Sequence, residues 1–199
     1  MQVAQHVAPA AASVPALMQR WAQVYTGVRR GEAAILALAA AHQRLGWIHP
    51  FADGNGRVMR LHTHLLLHAL GYTGGLWSPL RGFARNVERY YALLAAADQP
   101  RQGDLDGRGN LSEQALIDWI DFVLDVCLDQ VTFMTTLLDL ATLEQRIAAC
   151  LVFEAQVLRS GVRMECTRAL HYLYLTGNSL DRGGFKAMTG LGDRVATGA

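Results

Sequence analysis

Cysteine is scarce in this sequence, and the spacing of the few that occur excludes two kinds of small domain. The three cysteines, Cys127, Cys150 and Cys166, are scattered along the chain, and no two of them form a CxxC pair. This pattern indicates neither a zinc site nor a disulfide framework. We therefore expect reduced thiols and a cytoplasmic protein.

Long apolar runs are lacking as well. No run approaches the roughly 20 apolar residues that a membrane-spanning helix needs. Residues 8–12, Ala-Pro-Ala-Ala-Ala, are faintly similar to a signal-peptide cleavage site, but no lysine or arginine precedes them and Pro9 interrupts them. We predict no signal peptide and no membrane partner.

The chain also lacks an excess of charge of one sign. Its formal net charge is +1, so it has no global basic field that would recruit nucleic acid. Apolar residues make up 51% of the 199 residues and charged residues 18%, which supports a sizeable core and argues against disorder. This length predicts one large domain, or one domain with a small appendage.

The stretch from His49 to Arg60, HPFADGNGRVMR, concentrates groups that can carry chemistry. His49 can exchange a proton near neutral pH, and Pro50 stiffens the backbone beside it. Phe51 is expected to anchor the loop to the core. Asp53 is a hard oxygen ligand of the kind that Mg²⁺ prefers beside phosphate oxygens.

The second half of this stretch predicts an anion site. Gly54-Asn55-Gly56 allows a tight turn with exposed N–H groups, and the periodic apolar run 58–70 predicts a helix after it. Free N–H groups and the dipole at a helix N-terminus favour an anion. Arg57 and Arg60 share one helix face and can bind further phosphate oxygens. Together these groups predict a phosphoryl- or nucleotidyl-transfer site. A Gly-rich turn that merely caps a helix is the alternative, but it needs neither the His-Pro pair nor the spaced arginines.

The stretch resembles the signature of the Fic family, HPFx(D/E)GNGRxxR, at every position. The resemblance implies an all-α fold, the Fic helical bundle, and transfer of AMP from Mg-ATP to a hydroxyl side chain of a target protein. It also implies a role for each motif residue: His49 as the base that deprotonates the target hydroxyl, Asp53 as the Mg²⁺ ligand, Gly54, Asn55 and Gly56 as the cradle of the α- and β-phosphates, Arg57 as their helper, and Arg60 as the contact of the γ-phosphate.

The resemblance leaves other reactions open. Some relatives with the Fic fold phosphorylate, transfer phosphocholine or remove AMP. The phosphorylating type tends to depart from the GNG pattern, so Gly54-Asn55-Gly56 favours AMP transfer here. A DNA-binding regulator whose Fic core senses a ligand is the alternative from another class.

Apolar periodicity predicts helices along most of the remaining chain. The helix that starts at Glu32 is apolar on all sides, so we expect it in the middle of the bundle. The predicted helices span residues 15–28, 32–44, 58–70, 84–97, 113–131, 133–158, 166–176 and 185–191, with a loop over 74–82. The predicted domains are a Fic core over 1–140 and a set of C-terminal helices over 141–199.

Residues 1–14 have no helical period and suit an extended segment or the end of a hairpin. They resemble the second half of the Fic flap hairpin, which clamps a target peptide by strand addition. A frayed terminus is the alternative. Because relatives usually carry further helices before this point, we expect the chain to be a fragment.

The C-terminal tail, from about residue 185 onward, has a pattern of its own. Residues 185–194 resemble the helix-turn-helix of a winged-helix domain, a domain that often follows a Fic core. A third helix is expected from Arg194 onward, but the chain stops inside it. A partial winged helix of this kind cannot read DNA in the usual way, so we expect no DNA partner and a packing role instead.

A tyrosine pair after the motif resembles the adenine-side element of the family. Tyr90 is therefore expected to contact the base or the ribose, with Asp98 as a weaker candidate. Two aromatic side chains that fill the core are the alternative.

Two weaker patterns are similar to metal sites, but we predict a metal ion at neither of them. His64 and His68 have the i,i+4 spacing of a zinc pair, but no third ligand is evident and packed histidines are the default. Residues 104–110 are similar to a calcium loop, but Arg108 occupies a ligand position and Ala115 stands where glutamate is required. A structured turn is the expected alternative.

Fic enzymes are commonly restrained by a helix with the pattern (S/T)xxxE(G/N), whose glutamate pairs with the last motif arginine, here Arg60. No stretch of this chain matches the pattern. We expect the inhibitory helix in a preceding segment of the protein, or alternatively in a separate partner, and we expect this chain to bind ATP without internal obstruction. The sequence leaves the oligomeric state open, with a homodimer as one alternative.

Overall fold

The computed structural model describes residues 2, 3, 6–177 and 179–192. These residues are mostly helical, which confirms the predicted all-α class. The elements are β1 Gln2–Val3, β2 His6–Val7, α1 Val14–Tyr25, α2 Glu32–Ile48, α3 Asn55–Ala69, α4 Pro79–Arg85, α5 Val87–Ala97, α6 Glu113–Leu137, α7 Leu143–Gln156, α8 Thr167–Thr176 and α9 Arg182–Thr189. The chain divides into two compact units, Met1–Met134 and Thr135–Ala199. The predicted domain division at residue 140 stays a prediction.

The first unit begins with the hairpin that the fold prediction included. β1 and β2 are antiparallel, with Gln2 opposite Val7 and Val3 opposite His6. A 3₁₀ turn over Ala11–Ser13 then leads into α1, which has a proline in its first turn. The predicted flap over residues 1–14 is therefore extended only before residue 11, and Pro15 presets a helical φ angle in the first turn of α1.

α2 packs against both α1 and α3, and it buries side chains along its whole length. This agrees with the expected position in the middle of the bundle. The helix runs to Ile48, four residues beyond its predicted end at Arg44. Trp119 of α6 is fully buried beside it and donates its indole N–H to the Ala39 carbonyl oxygen at 2.8 Å.

The core of the first unit is an aromatic cluster of Phe83, Tyr90, Trp119 and Phe122. Adjacent ring centroids within it lie 5.1 to 6.3 Å apart. Each such ring contributes both apolar area and favourable edge or offset contacts. Three helices, α4, α5 and α6, supply these rings, so the cluster holds α5 against α4 and α6.

The predicted loop over residues 74–82 was too long, because α4 starts at Pro79. The Ser78 hydroxyl caps this helix by accepting the Leu80 N–H at 3.2 Å, and Pro79 follows at the first helical position. This Ser-Pro pair is a helix-start signal that the prediction missed. The predicted helix over 84–97 is divided at Asn86, whose side chain donates to the Gly82 carbonyl oxygen at 2.9 Å.

The predicted helix over 133–158 is also divided. α6 continues to Leu137, and α7 begins at Leu143 after a turn. In that turn the Asp139 carboxylate accepts the Ala141 N–H at 3.0 Å, a local bond that competes with helix continuation. Among the described helices, none combines the length and the apolar character of a membrane span.

The second unit has a small core of its own. Ile147 and Leu151 of α7 pack with Cys166, and Leu170 and Phe185 adjoin them. α9 starts earlier than predicted, at Arg182, because the Asp181 carboxylate caps it through the Gly184 N–H at 2.9 Å. The third helix predicted from Arg194 lies outside the described residues.

Candidate active site

His49 occupies the position where α2 ends. Its backbone is left-handed, with φ at 53°, and its N–H closes the helix by donating to the Leu45 carbonyl oxygen at 3.1 Å. Left-handed backbone is uncommon outside glycine and is frequent at functional sites. The chain therefore turns sharply at this residue, and its half-buried imidazole lies at the C-terminal end of α2.

The loop after His49 is held by Asn55 rather than by the aromatic side chain that was expected to anchor it. Phe51 is 46% exposed, so the predicted anchoring of this ring to the core is wrong. The buried Asn55 side chain instead accepts the Phe51 N–H at 2.9 Å and donates to the Phe51 carbonyl oxygen at 2.6 Å. Two hydrogen bonds to one residue fix the loop without apolar contact.

The start of α3 presents backbone donors as the sequence predicts. Gly54 precedes the helix with φ at +84°, a conformation that a side chain would strain. The first intrahelical bond runs from the Val58 N–H to the Gly54 carbonyl oxygen at 2.9 Å. The amides of Asn55, Gly56 and Arg57 precede that bond, so they belong to the set that a helix leaves without internal acceptors.

Asp53 and Arg57 contact one another in front of this helix start. Asp53 Oδ2 lies 2.8 Å from Arg57 Nη2, and Asp53 Oδ1 accepts the Gly54 N–H at 2.6 Å. Both side chains are mostly exposed. Exposed ion pairs contribute only about 0.2–1 kcal/mol to stability. A metal cation can therefore replace Arg57 beside Asp53, and an anion can replace Asp53 beside Arg57, at small cost.

A cavity of about 520 Å³ opens beside the His49 imidazole. It lies between the end of α2, the side of α5 and the hairpin, and its lining includes His6, Gln43, His49, Met59, Tyr91 and Asp98. The cavity is mainly apolar with a few convergent polar groups, which is the usual composition of a small-molecule site.

The polar groups of this cavity form a chain of contacts. His6 Nδ1 lies 2.9 Å from Asp98 Oδ2, and Gln43 donates to Asp98 Oδ1 at 2.7 Å. Burial raises the pKa of the Asp98 carboxyl above its ordinary value, and His6, Gln43 and Arg108 act in the opposite direction. The predicted weaker candidate Asp98 is therefore on the cavity wall.

Tyr90 requires a correction. Its side chain is only 2% exposed, and its hydroxyl lies 3.0 Å from His42 Nε2 inside the aromatic cluster. A ring in this position cannot stack on a nucleotide base in the cavity. The adjacent Tyr91 is 57% exposed and lines the cavity instead. The alternative that Tyr90 fills the core is the one that the packing supports.

Three cavity residues, His6, Gln43 and Tyr91, had no predicted role. The tyrosine pair did contain a partial signal, since neighbouring helical residues face different directions and so need not share one environment. Neither His6 nor Gln43 belongs to a motif, so only the packing of the hairpin and α2 against α5 reveals them.

Arg60 lies half-buried on α3, one turn after the helix start. A Cβ atom on residue 56 would lie 3.1 Å from Arg60 Nη1, so the absence of a side chain at Gly56 leaves room for this guanidinium. Within the described part of the chain, no glutamate forms an ion pair with Arg60.

The two weak metal patterns have structural explanations. His68 Nδ1 lies 3.2 Å from the Thr73 hydroxyl, and no group of three metal ligands occurs among the described residues. In the loop similar to a calcium site, Asp106 accepts the N–H groups of Gln102, Glu113 and Gln114. These bonds lower the pKa of Asp106 to about 2 and tie the loop to the start of α6.

The part of the chain that carries this site is similar to known proteins. Residues 1–67 match the Fic/DOC family. Proteins named "Protein adenylyltransferase Fic" from Drosophila virilis and Drosophila ananassae are each 39% identical to this chain over 98 residues, and the one from Drosophila melanogaster is 38% identical over 98 residues. The matched segment covers 49% of this chain and 19% of each of these relatives, so it spans about a fifth of their length. The match to the Fic/DOC family includes the whole stretch from His49 to Arg60.

Proposed function

We propose that this protein transfers AMP from Mg-ATP to a hydroxyl side chain of a target protein. The relatives it matches are named as adenylyltransferases, which supports a transferase of the Fic type at the level of the family. The observation that carries the proposal is the junction of α2 and α3. There a left-handed His49 adjoins both a cavity of about 520 Å³ and the loop that leads to the amide-rich start of α3.

In the proposed reaction His49 acts as the general base. It removes the proton of a serine, threonine or tyrosine hydroxyl, whose oxygen forms a bond to the α-phosphorus. The bond between the α-phosphorus and the oxygen that bridges to the β-phosphate breaks, and pyrophosphate leaves with the electron pair. Positioned bases of this kind contribute about 10²–10⁴-fold to a rate.

The start of α3 would bind the phosphates. The proposed donors are the amides of Asn55, Gly56 and Arg57 and the side chains of Arg57 and Arg60. The Gly54 amide, which donates to Asp53 Oδ1 here, would join them once Asp53 holds a metal ion. Hydrogen bonds from backbone amides and guanidinium groups stabilise negative charge most when they are already oriented. The Asn55 side chain is occupied by Phe51, so we assign only its backbone N–H to this cradle.

Asp53 fits the requirements of a magnesium ligand. Mg²⁺ is usually held by one or two carboxylates together with substrate phosphates and water, and Asp53 is an exposed carboxylate on the same loop as the proposed cradle. When bound, the ion would neutralise charge on the α- and β-phosphates. Arg57, released from Asp53, would be free to bind phosphate oxygen.

The cavity beside His49 would hold the nucleoside. Its apolar wall on α5 includes the exposed Tyr91 ring, which can stack on a base, while Asp98 and Gln43 offer hydrogen-bonding atoms. This assignment replaces the one predicted for Tyr90.

The hairpin would receive the target. β2 is a short exposed edge with Val7 at 71% exposure, and His6 ties it to the segment before His49 by a hydrogen bond with the Trp47 carbonyl oxygen at 3.0 Å. A target segment that adds as a strand to this edge would bring a hydroxyl close to His49.

Labelled nucleotide tests the proposal. Purified protein is incubated with Mg²⁺, a host lysate and ATP labelled at either the α- or the γ-phosphate. We expect protein-bound label from the α-phosphate only; label from the γ-phosphate would indicate phosphorylation instead. His49→Ala should lose the labelling while calorimetry still detects ATP binding. Labelling by His49→Ala at the wild-type rate would exclude His49 as the base.

A further inference from the structure

Three side chains, Arg108, Gln43 and Asp98, form a row of hydrogen bonds that ends at the candidate nucleotide cavity. We propose that Gln43 and Asp98 together select a purine with an amino group at C6, and that Arg108 is the positioning residue that holds the Gln43 amide for this task. The proposal rests on the proposed function for the presence of a nucleoside triphosphate. The order of the hydrogen bonds rests on the contacts between the three residues alone.

Arg108 lies in the loop between α5 and α6, and three acceptors hold its half-buried side chain. Its Nε donates to the Ser112 carbonyl oxygen at 3.1 Å, and its Nη2 donates to the Ala97 carbonyl oxygen. Its Nη1 donates to Gln43 Oε1 at 3.3 Å. Because these acceptors belong to the end of α5, the residue before α6 and the middle of α2, the guanidinium cannot turn without losing one of them.

The two neighbours of the Gln43 amide require the same orientation of it. A guanidinium only donates, so the atom of Gln43 that faces Arg108 is the oxygen. The nitrogen Nε2 therefore faces Asp98 and donates to Oδ1 at 2.7 Å. Gln43 is only 1% exposed, and a buried amide is costly unless both of its ends are hydrogen-bonded. Arg108 thus prevents the amide from rotating about its single bond to Asp98.

Two hydrogen-bonding groups are left over where Gln43 and Asp98 line the cavity. The Gln43 amide has two N–H groups, and only one of them has an acceptor among the described residues. Asp98 Oδ1 has two lone pairs, of which Gln43 uses one, while Oδ2 lies 2.9 Å from His6 Nδ1. The two atoms that carry the unused donor and the unused acceptor are 2.7 Å apart, so the two groups lie side by side.

This pair of groups matches one edge of adenine. The 6-amino group of adenine donates and its ring nitrogen N1 accepts, so the amino group would bond Asp98 Oδ1 and N1 would accept the second N–H of Gln43. Hypoxanthine and guanine have the opposite pattern, with an oxygen at C6 and a hydrogen on N1. A 6-oxopurine would place two acceptors together at Asp98 and two donors together at Gln43. Sites with buried polar groups reject an analogue that leaves those groups unpaired.

ITP tests this selection, because inosine differs from adenosine only at this edge of the base. By calorimetry with Mg²⁺, we expect the wild type to bind ATP about 10- to 100-fold more tightly than ITP, the range for two hydrogen bonds. Gln43→Met keeps the length of the side chain and removes the donor, so it should lower the ATP-to-ITP affinity ratio about 3- to 10-fold. Asp98→Ala, which removes the acceptor, should lower the ratio as well. Equal affinities of the wild type for ATP and ITP, or an unchanged ratio in both variants, would overturn the selection.

Arg108→Met separates positioning from packing. If Arg108 only stabilised its loop, the variant would weaken ATP and ITP binding equally. As a positioning residue it should lower the ATP-to-ITP ratio by about 3-fold or more, and it should have no further effect on the ratio in a Gln43→Met background. Arg101→Met is the matched control, because Arg101 of the same loop donates to the Gly103 carbonyl oxygen at 2.8 Å and has no contact with Gln43 among the described residues. An unchanged ratio in Arg108→Met would exclude the positioning role.

Transfer of label distinguishes failure of this proposal from failure of the proposed function. The wild type is incubated with Mg²⁺, a host lysate and either ATP or ITP labelled at the α-phosphate. We expect labelled protein from ATP and much less from ITP at equal, subsaturating concentrations. Equal labelling from the two nucleotides would leave the proposed AMP transfer in place and refute the base selection. If neither nucleotide binds or labels a protein, the proposed function falls and the selection falls with it.

Discussion

His6 Nδ1 lies 2.9 Å from Asp98 Oδ2, which connects the N-terminal hairpin to the wall of the candidate nucleotide cavity. The other ring nitrogen of His6 lies 3.0 Å from the Trp47 carbonyl oxygen and donates to it, because a carbonyl can only accept. A single side chain thus fastens β2 both to α5 and to the segment that ends in His49.

The first prediction follows from this double attachment. His6→Ala should leave global stability nearly unchanged but release the hairpin, so that amide hydrogen exchange of His6 and Val7 positions rises about tenfold or more. Two-dimensional NMR of exchanging amides measures this effect. His64→Ala, which alters a histidine of α3 outside the cavity lining, is the control. Equal exchange at Val7 in His6→Ala and wild type would contradict the attachment.

The second prediction concerns the pH dependence of stability. Burial lowers the pKa of His42 from 6.5 to about 3 in the folded protein. Below pH 6.5 the unfolded chain binds a proton that the folded chain does not, so the contribution of a neutral His42 is complete above that pH and is lost as the pH falls toward 3.

Urea unfolding at a series of pH values measures this loss. Between about pH 4 and 6 the free energy of unfolding should fall more steeply with decreasing pH in the wild type than in His42→Gln, by up to about 1.4 kcal/mol per pH unit. Parallel pH profiles for the two proteins would mean that His42 does not stay neutral in the core.

The third prediction separates metal binding from stability at Asp53. Because the Asp53–Arg57 pair is exposed, Asp53→Asn should change the free energy of unfolding by no more than about 0.5 kcal/mol. The same variant should bind ATP with an affinity that no longer responds to Mg²⁺ or to its removal by a chelator. Asp125→Asn is a matched control, since Asp125 forms a similarly exposed pair with Arg89 at 3.4 Å. A Mg²⁺ response of wild-type size in Asp53→Asn would exclude this residue as the ligand.

The fourth prediction tests the close approach of α4 and α6. A Cβ atom on Gly82 would lie 2.5 Å from Val126 Cγ1, closer than packed atoms allow. Gly82→Ala should therefore destabilise the protein by about 1–3 kcal/mol through overpacking, as measured by urea unfolding. Adding Val126→Ala should recover part of the loss by removing the clashing methyl groups. If the double variant is less stable than Gly82→Ala alone by the full cost of a cavity, the two residues do not compete for this space.

Much of the candidate site was predictable because it is local. The loop and helix start between His49 and Arg60 are contiguous, so a tight turn at Gly54 and amide donors at the start of α3 follow from short-range geometry. The all-α class likewise follows from apolar periodicity. The errors in the helix prediction, at Pro79, Asn86 and Asp139, are places where a single capping or turn residue outweighs the periodic pattern.

The sequence by itself determined the order of reactive groups along the chain and the helical framework that carries them, since hydrogen bonds within a helix or turn join residues that are near neighbours. Only the tertiary structure decided which member of the pair Tyr90-Tyr91 is buried, because successive helical residues differ by about 100° in direction and packing chooses between them. It also decided that His6 meets the Trp47 carbonyl 41 residues away and that Gln43 meets Asp98 55 residues away. Contacts at such separations depend on how whole helices pack, and no local pattern encodes them.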